Sequence, residues 1–182
     1  MKLKKIYESI FGEDVTDAKY GSDALVSSIE KALNIRVIDF LGHGSMSDTF
    51  TTSDGKVLKI TRDNQDADGL YFSQRNQELP VLNVFELYRI KEDDIPKNIR
   101  AGLEKSYDGW FYVAISEKLD TSSVTYDDAE DLDNWFEDNG FHPSDLHIGN
   151  IGKRDDGTVV YLDPQFRNIP KGHDLIKILK IR

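Results

Sequence analysis

The sequence has no cysteine, and that absence removes thiolate nucleophiles, thiolate-held zinc and disulfide scaffolding together. It is the composition expected of a chain working in a reducing cytoplasm. Long apolar runs are also missing: nothing approaches the roughly 20 consecutive residues of a membrane-spanning helix, so no membrane role is expected. No solenoid-length repeat and no low-complexity tract is present. Cations are in deficit, with 23 Lys and Arg against 33 Asp and Glu and a formal net charge of -10. Non-specific affinity for phosphate backbones comes mainly from Lys and Arg, so nucleic acid is not an expected partner. Acidic surfaces recruit basic proteins or keep a chain soluble, and solubility is the default for a charge of this size.

What is present suffices for one domain, or one domain with a small second lobe, since 182 residues can bury a core without disulfides. The opening MKLKKIYESIFGED sets Leu3, Ile6, Tyr7, Ile10 and Phe11 at helical spacing. No continuous apolar core follows its basic residues, so it reads as an amphipathic helix rather than a signal peptide. Ser22 suits the cap of a second helix with Leu25, Val26, Ile29 and Leu33 on one face and Asn34 at its end. From Ile35 the period changes. IRVIDFLG, Thr49 to Thr52 and KVLKIT read as three strands, the last two joined at Asp54-Gly55. Strand alternation puts Val57 and Lys59 on the same face.

Helical spacing of Ala67, Leu70, Tyr71, Gln74 and Glu78 predicts a helix over residues 64–79, with Pro80 at its exit. VLNVFELYRI reads as a strand, residues 95–106 form a polar insertion with no assignable period, and WFYVAIS is a strand after the Asp108-Gly109 turn. Residues 117–120 form a connector. Ala129, Leu132, Trp135 and Phe136 predict a helix over residues 127–139, with Trp135 and Phe136 in the core and Gly140 as the stop. FHPSDLHIGNIGKRDDGTVVYLD then places Asp145, His147 and Asn150 in a loop, two short strands around Asp156-Gly157, and Asp163 at the far end. The order of elements predicts an α+β fold with two lobes.

Each candidate has an ordinary reading beside a chemical one. Gly42 and Gly44, in LGHGSMSDTF, make either a tight hairpin or a turn whose amides approach phosphate oxygens. Lys59, set in an apolar strand, either reaches out to water or neutralises an anion. Asp145, Asn150 and Asp163 are either turn formers or hard oxygen ligands suited to magnesium, with Asp145 left to orient a hydroxyl and accept its proton. His142 and His147 lack the cysteine or HExxH partner of a zinc site. Trp110, Phe111 and Tyr112 read as strand packing.

The joint order of glycine turn, strand lysine, helix, strand, SDLHIGN and VVYLDP resembles the protein-kinase-like superfamily over about residues 35–166. The DLHxGN form is closest to aminoglycoside and choline kinases and to the short early kinases of tailed phages. The resemblance implies a single minimal kinase-like domain over 1–182, with N-terminal helices in 1–34, an N-lobe in 35–116 and a reduced C-lobe in 117–182. It implies ATP and Mg2+ as cofactors. It makes Asp145 the catalytic base, gives Mg2+ to Asn150 and Asp163, and gives the α- and β-phosphates to Lys59. Gly42 and Gly44 would cover the phosphates, and the backbone from Glu117 to Leu119 would meet adenine. The implied reaction is γ-phosphate transfer to a hydroxyl, on a protein Ser or Thr ahead of a small-molecule acceptor. A pseudokinase that only binds and an AMP transferase are the alternatives on the same fold.

The chain departs from the pattern in several places. Ser47 stands where a third glycine is usual, Met46 replaces a common aromatic, and His142 precedes Asp145 by three residues rather than two. The acid that pairs with Lys59 has three candidates, Asp66, Asp68 and Glu78, of which Asp68 is favoured because Glu78 sits beside Pro80. Few residues follow Asp163, so a substrate platform is expected to be missing or built elsewhere, with the two N-terminal helices as candidates.

Overall fold

A computed structural model describes residues 23–181 of the chain. The helix expected from Leu3 to Phe11 and the Ser22 cap lie outside the described residues. Helix α1 (Asp23–Leu33) forms where Leu25, Val26 and Ile29 recur on one face, and all three are buried. Asp23 in its first turn and Lys31 in its last complement the helix dipole. It ends at Asn34, whose φ of 53° is a left-handed conformation that asparagine tolerates better than most residues.

Strands β1 (Val37–His43), β2 (Ser47–Thr52) and β3 (Val57–Thr61) follow as an antiparallel run. Helix α2 covers Asn64–Arg75. Strand β4 (Val84–Lys91), a single 3-10 turn (Glu92–Asp94), helix α3 (Lys97–Arg100) and strand β5 (Trp110–Ser116) come next. Helix α4 (Tyr126–Asp138) leads through a 3-10 turn (Ile148–Asn150) into β6 (Ile151–Lys153) and β7 (Val159–Tyr161). A last 3-10 turn (His173–Leu175) precedes β8 (Lys177–Ile178). One sheet has the order β1-β2-β3-β5-β4-β8, with β8 parallel to β4, and β6 and β7 form a separate hairpin. The chain is therefore α+β.

It divides into two compact units, neither contiguous in sequence. Unit 1 takes the residues up to Asp63, Tyr88–Ile115 and the residues from Lys177, and unit 2 takes Asn64–Leu87 and Ser116–Ile176. The core of unit 1 gathers Leu25 and Ile29 from α1, Leu58 and Ile60 from β3, Phe111 and Val113 from β5, and Leu179 and Ile181. That of unit 2 is aromatic. Phe136 lies 5.0 Å from Phe166 and 6.1 Å from Phe141, and Tyr161 lies 5.7 Å from Phe166, between ring centroids. Full burial of each such side chain contributes about 1.5–3 kcal/mol.

Four sequence expectations change. Helix α2 stops at Arg75 rather than Leu79, because the Asn76 side chain donates to the Phe72 carbonyl at 2.8 Å and its amide turns back to Ser73. Glu78 is consequently an exposed turn residue. The strand read from Val81 begins at Val84, Val81 itself making one bridge to Tyr161. In the polar insertion, Ile95 and Ile99 are buried in the core of unit 1, and the short helix α3 forms to place Ile99 there. Trp135 shares the apolar stripe of α4 yet is 39% exposed, whereas Phe136 is fully buried.

Candidate functional site

In unit 1 the candidates fall in one cross-strand row. Gly42 in β1 opposes Thr49 in β2, and Thr49 opposes Lys59 in β3. A bulge between Phe40 and Gly42 bends β1 at this point, and Gly42 takes a φ of 156°, a value few residues other than glycine adopt. Thr49 Oγ1 donates to the Gly42 carbonyl at 3.0 Å, fixing the bend. The turn closes with the Gly44 amide on the Ser47 carbonyl at 2.7 Å. Its tip is held from β3, since the Met46 carbonyl accepts from Thr61 Oγ1 at 3.3 Å and from the Arg62 amide at 3.2 Å. Lys59 is 9% exposed. The fold thus brings Gly42 and Lys59 into register and anchors the glycine turn against the end of β3.

In unit 2 the site is built around the β6-β7 hairpin. Ile151 pairs with Tyr161, so Asn150 and Leu162 flank the same end. The Leu162 amide donates to the Asn150 carbonyl at 2.8 Å, which delivers Asp163 beside Asn150. Asn150 Nδ2 donates to the Asp145 carbonyl at 3.0 Å and to Asp145 Oδ2 at 3.1 Å. Both partners are acceptors, so the network assigns the amide nitrogen to Asp145 and turns the amide oxygen away. Asp145, Asn150 and Asp163 are thereby gathered by hydrogen bonds of the loop itself.

His147 orders this loop. Its Nδ1 accepts from the Gly149 amide at 3.0 Å, which places the ring proton on Nε2. That Nε2 faces Asp145 Oδ1 at 3.7 Å, beyond hydrogen-bond length, and both side chains are more than half exposed. Gly149 permits the arrangement, because a Cβ there would lie 2.9 Å from the His147 ring. His142 takes a different part, donating from Nδ1 to Glu137 at the end of α4 at 2.8 Å.

The segment after Asp163 is braced from two sides. The Ser144 amide donates to the Gln165 carbonyl and the Arg167 amide to the His142 carbonyl, lacing it to the run-in of the Asp145 loop. Helix α2 supports the other side. Gln165 Nε2 donates to Asp66 at 3.2 Å, and Gly69 lies so close to the Pro164 carbonyl that no side chain fits between them. Asp68 Oδ1 accepts from the Gly172 amide, the His173 amide and His173 Nδ1, at 2.6, 2.8 and 2.8 Å. Asp68 therefore has a structural duty in its own unit, distinct from the lysine pairing expected of it. Asp66 is buried in the first turn of α2.

Among the connector residues, Glu117 is engaged through its side chain and its amide. Arg154 grips its carboxylate with two parallel bonds of 2.8 and 2.9 Å, and the Asn83 amide donates to Oε1 at 2.7 Å. The pairing raises the Arg154 pKa further, chiefly through the hydrogen bonds to Glu117. The Glu117 amide donates to the Asn83 carbonyl. Leu119 packs against β6, where a Cβ on Gly152 would stand 2.8 Å from its own Cβ.

Tyr161 is a residue that strand packing alone does not explain. It is fully buried, and its hydroxyl makes no hydrogen bond of full length and angle, although the Gln165 and Asp145 backbones approach its oxygen. Burial pushes its pKa up to about 12, and the Asp145 and Asp163 carboxylates add to the rise. Gly69 was visible as an isolated glycine inside a helical pattern, a signal of close packing; Tyr161 gave no such signal, being an ordinary strand aromatic.

Among the described residues no group of three or more His, Asp or Glu is placed to hold a metal ion. One carboxylate and one amide oxygen, the kinds of donor that Asp163 and Asn150 carry, suit an ion that completes its shell with water and phosphate. No protein-family model matches the chain, and no curated protein matches it.

Proposed function

We propose that the chain is an ATP-dependent phosphotransferase that moves the γ-phosphate to a hydroxyl, with a protein Ser or Thr ahead of a small-molecule acceptor, on a two-lobed protein-kinase-like fold with a reduced C-terminal lobe. The observation that carries this reading is the pair of hydrogen bonds from Asn150 Nδ2 to the Asp145 carbonyl and carboxylate, together with the Leu162 amide on the Asn150 carbonyl. Those contacts tie the Asp145 loop to the hairpin that leads to Asp163, which supports reading SDLHIGN and VVYLDP as the source of a base and two oxygen ligands.

In this mechanism Asp145 orients the acceptor hydroxyl and takes its proton as the oxygen attacks the γ-phosphorus. The bond to the bridging oxygen of ADP breaks as the new one forms. Asn150 Oδ1 and Asp163 would hold Mg2+, which supplies neutralisation of charge developing on the phosphates. Lys59 takes the α- and β-phosphates, and the Gly42–Gly44 turn covers them with backbone amides. Since the Glu117 amide is spent on Asn83, adenine contacts fall to the backbone of Lys118 and Leu119. His147 keeps the Asp145 loop in shape through Gly149. Positioning and charge neutralisation, rather than covalent chemistry, supply the rate.

Purified protein incubated with labelled ATP and Mg2+ should label itself or a protein acceptor. Asp145→Asn should lower that labelling by about 10²–10⁴-fold. Equal labelling by the variant would remove Asp145 from the role. One observation favours a second reading, a binding module without turnover: Asp68, the acid expected for Lys59, accepts three hydrogen bonds from Gly172 and His173. That module would show an ATP-dependent thermal shift with no ADP formed, whereas intact mass of a labelled product separates phosphate from AMP transfer.

A further inference from the structure

Unit 2 carries a concavity whose lining includes none of Asp145, Asn150 and Asp163. It encloses about 400 Å³, a volume within the range of natural ligand pockets. Its floor is apolar: Leu79, Pro80, Leu132 and Val159, with the indole of Trp135 along one wall. Leu79, Leu132 and Val159 also pack in the aromatic core of the unit, so the floor is rigidly backed. Trp135 stands edge-on to Phe136 at 5.3 Å and presents the rest of its ring to solvent.

Three acids, Glu78, Asp128 and Asp131, and one cation, Arg154, are among the pocket's lining residues. Glu78 and Asp131 line it, and neither carboxylate has a hydrogen bond or ion pair among the described residues. The cations bordering the pocket are already engaged. Lys153 Nζ meets Asp128 at 2.7 Å, and Arg154 is forked onto Glu117 with a further bond to the Val81 carbonyl at 3.1 Å. Helix α4 adds Asp127, Glu130, Asp133 and Asp138 and contains no Lys or Arg. This charge pattern works against the helix. Like charges three and four residues apart repel, and acids in the last turn oppose the dipole. The capping box at Thr125 and Asp128, Asp127 in the first turn and the Glu137 bond to His142 use acids of α4 to local advantage.

An apolar floor backed by the core, unpaired acids at its rim and a neighbouring acidic helix together define the complementary ligand. We infer that this pocket docks a short peptide segment of a partner protein, in which a large apolar side chain is flanked by Lys or Arg. The apolar side chain fills the space between Trp135 and Leu132. The flanking cations meet Glu78 and Asp131 and relieve the repulsion along α4. The inference does not depend on phosphate transfer.

The test uses the full chain carrying Trp110→Phe, which leaves Trp135 as its only tryptophan. A labelled peptide with a leucine pair flanked by arginines is titrated while polarisation and Trp135 emission are followed. Saturable binding with a shift in Trp135 emission is expected, weakening as salt rises. Glu78→Lys with Asp131→Lys, both at exposed positions, should weaken it by about tenfold or more, with a melting temperature no lower than that of the parent chain, since a lysine at 131 relieves repulsion along α4. Peptides with glutamates for the arginines, or serines for the leucines, should bind at least as poorly. The inference is overturned if the charge-reversed protein binds equally well or if the serine peptide or spermine matches the leucine peptide, since the acids alone would then suffice. It is overturned too if sedimentation shows the pocket filled by a second copy of the chain.

Discussion

At position 150 an amide does what a carboxylate could not. Asn150 Nδ2 donates to Asp145 Oδ2 at 3.1 Å, and Asn150→Asp would set two anionic oxygens against each other at that distance. The variant should lose metal-dependent ATP turnover and about 1–2 kcal/mol of stability. Thermal melts alongside an ADP-release assay would show it, and unchanged turnover would count against the Asn150 assignment. Tyr161 invites the opposite substitution. Its buried hydroxyl makes no hydrogen bond of full length and angle, though the Gln165 and Asp145 backbones lie close to it, so Tyr161→Phe should change stability by no more than about 1 kcal/mol. The pH dependence has a definite sign. A phenol raised from 10.0 to about 12 is held neutral by the fold, so its contribution is whole below pH 10 and is lost as pH climbs through about 12. Alkaline melts of the Phe variant should lack that decline.

At the scale of elements, α2 is the brace of the segment that follows Asp163. Gly69→Ala would gain about 1 kcal/mol of helix propensity and would drive a methyl into the Pro164 carbonyl, where a Cβ has no room. Overpacking of this kind costs about 1–3 kcal/mol. The expected result is a lower melting temperature together with impaired Mg2+-dependent turnover, read in parallel; a neutral effect on both would mean that the segment yields freely. How much of this was legible in the sequence varies by element. The three hairpin and strand turns at Gly55, Gly109 and Gly157 all have φ between 80° and 86°, and glycine at an Asp-Gly step announces that conformation in advance. The Asp145–Asn150 loop was legible for the same reason, its spacing being set by a few local bonds. Helix α2 was overrun because periodicity continues to Glu78, whereas the Asn76 side chain that ends it follows no period. Helix α3 was hidden because just one of its four residues, Ile99, is buried. Strand β8 has two residues, both exposed, and its place is set by the distant β4. Trp135 misled because a stripe fixes direction around a helix and not the depth of the neighbouring surface.

For the molecule as a whole, the interleaving of the two units decides what can be removed. Truncation after Ile176 would take away β8 and the buried Leu179 and Ile181, along with the bond from the Leu179 amide to the Arg89 carbonyl. At about 1.5–3 kcal/mol per buried side chain, the loss should be about 3–6 kcal/mol in unit 1. Amide exchange would find α1, β1 and β3 opened first, while the Asp145–Asn150 loop of unit 2 keeps its protection; uniform protection in the shortened chain would refute the assignment of Leu179 and Ile181 to that core. The same interleaving imposes an order on synthesis. Strands β1 to β3 emerge early, but the core they belong to lacks Leu179 and Ile181 until residues 177–181 have cleared the ribosome. All of unit 2 is translated in the meantime. Until then the nascent chain carries an unfinished apolar surface, an interval in which a holding chaperone would matter more than any later stability.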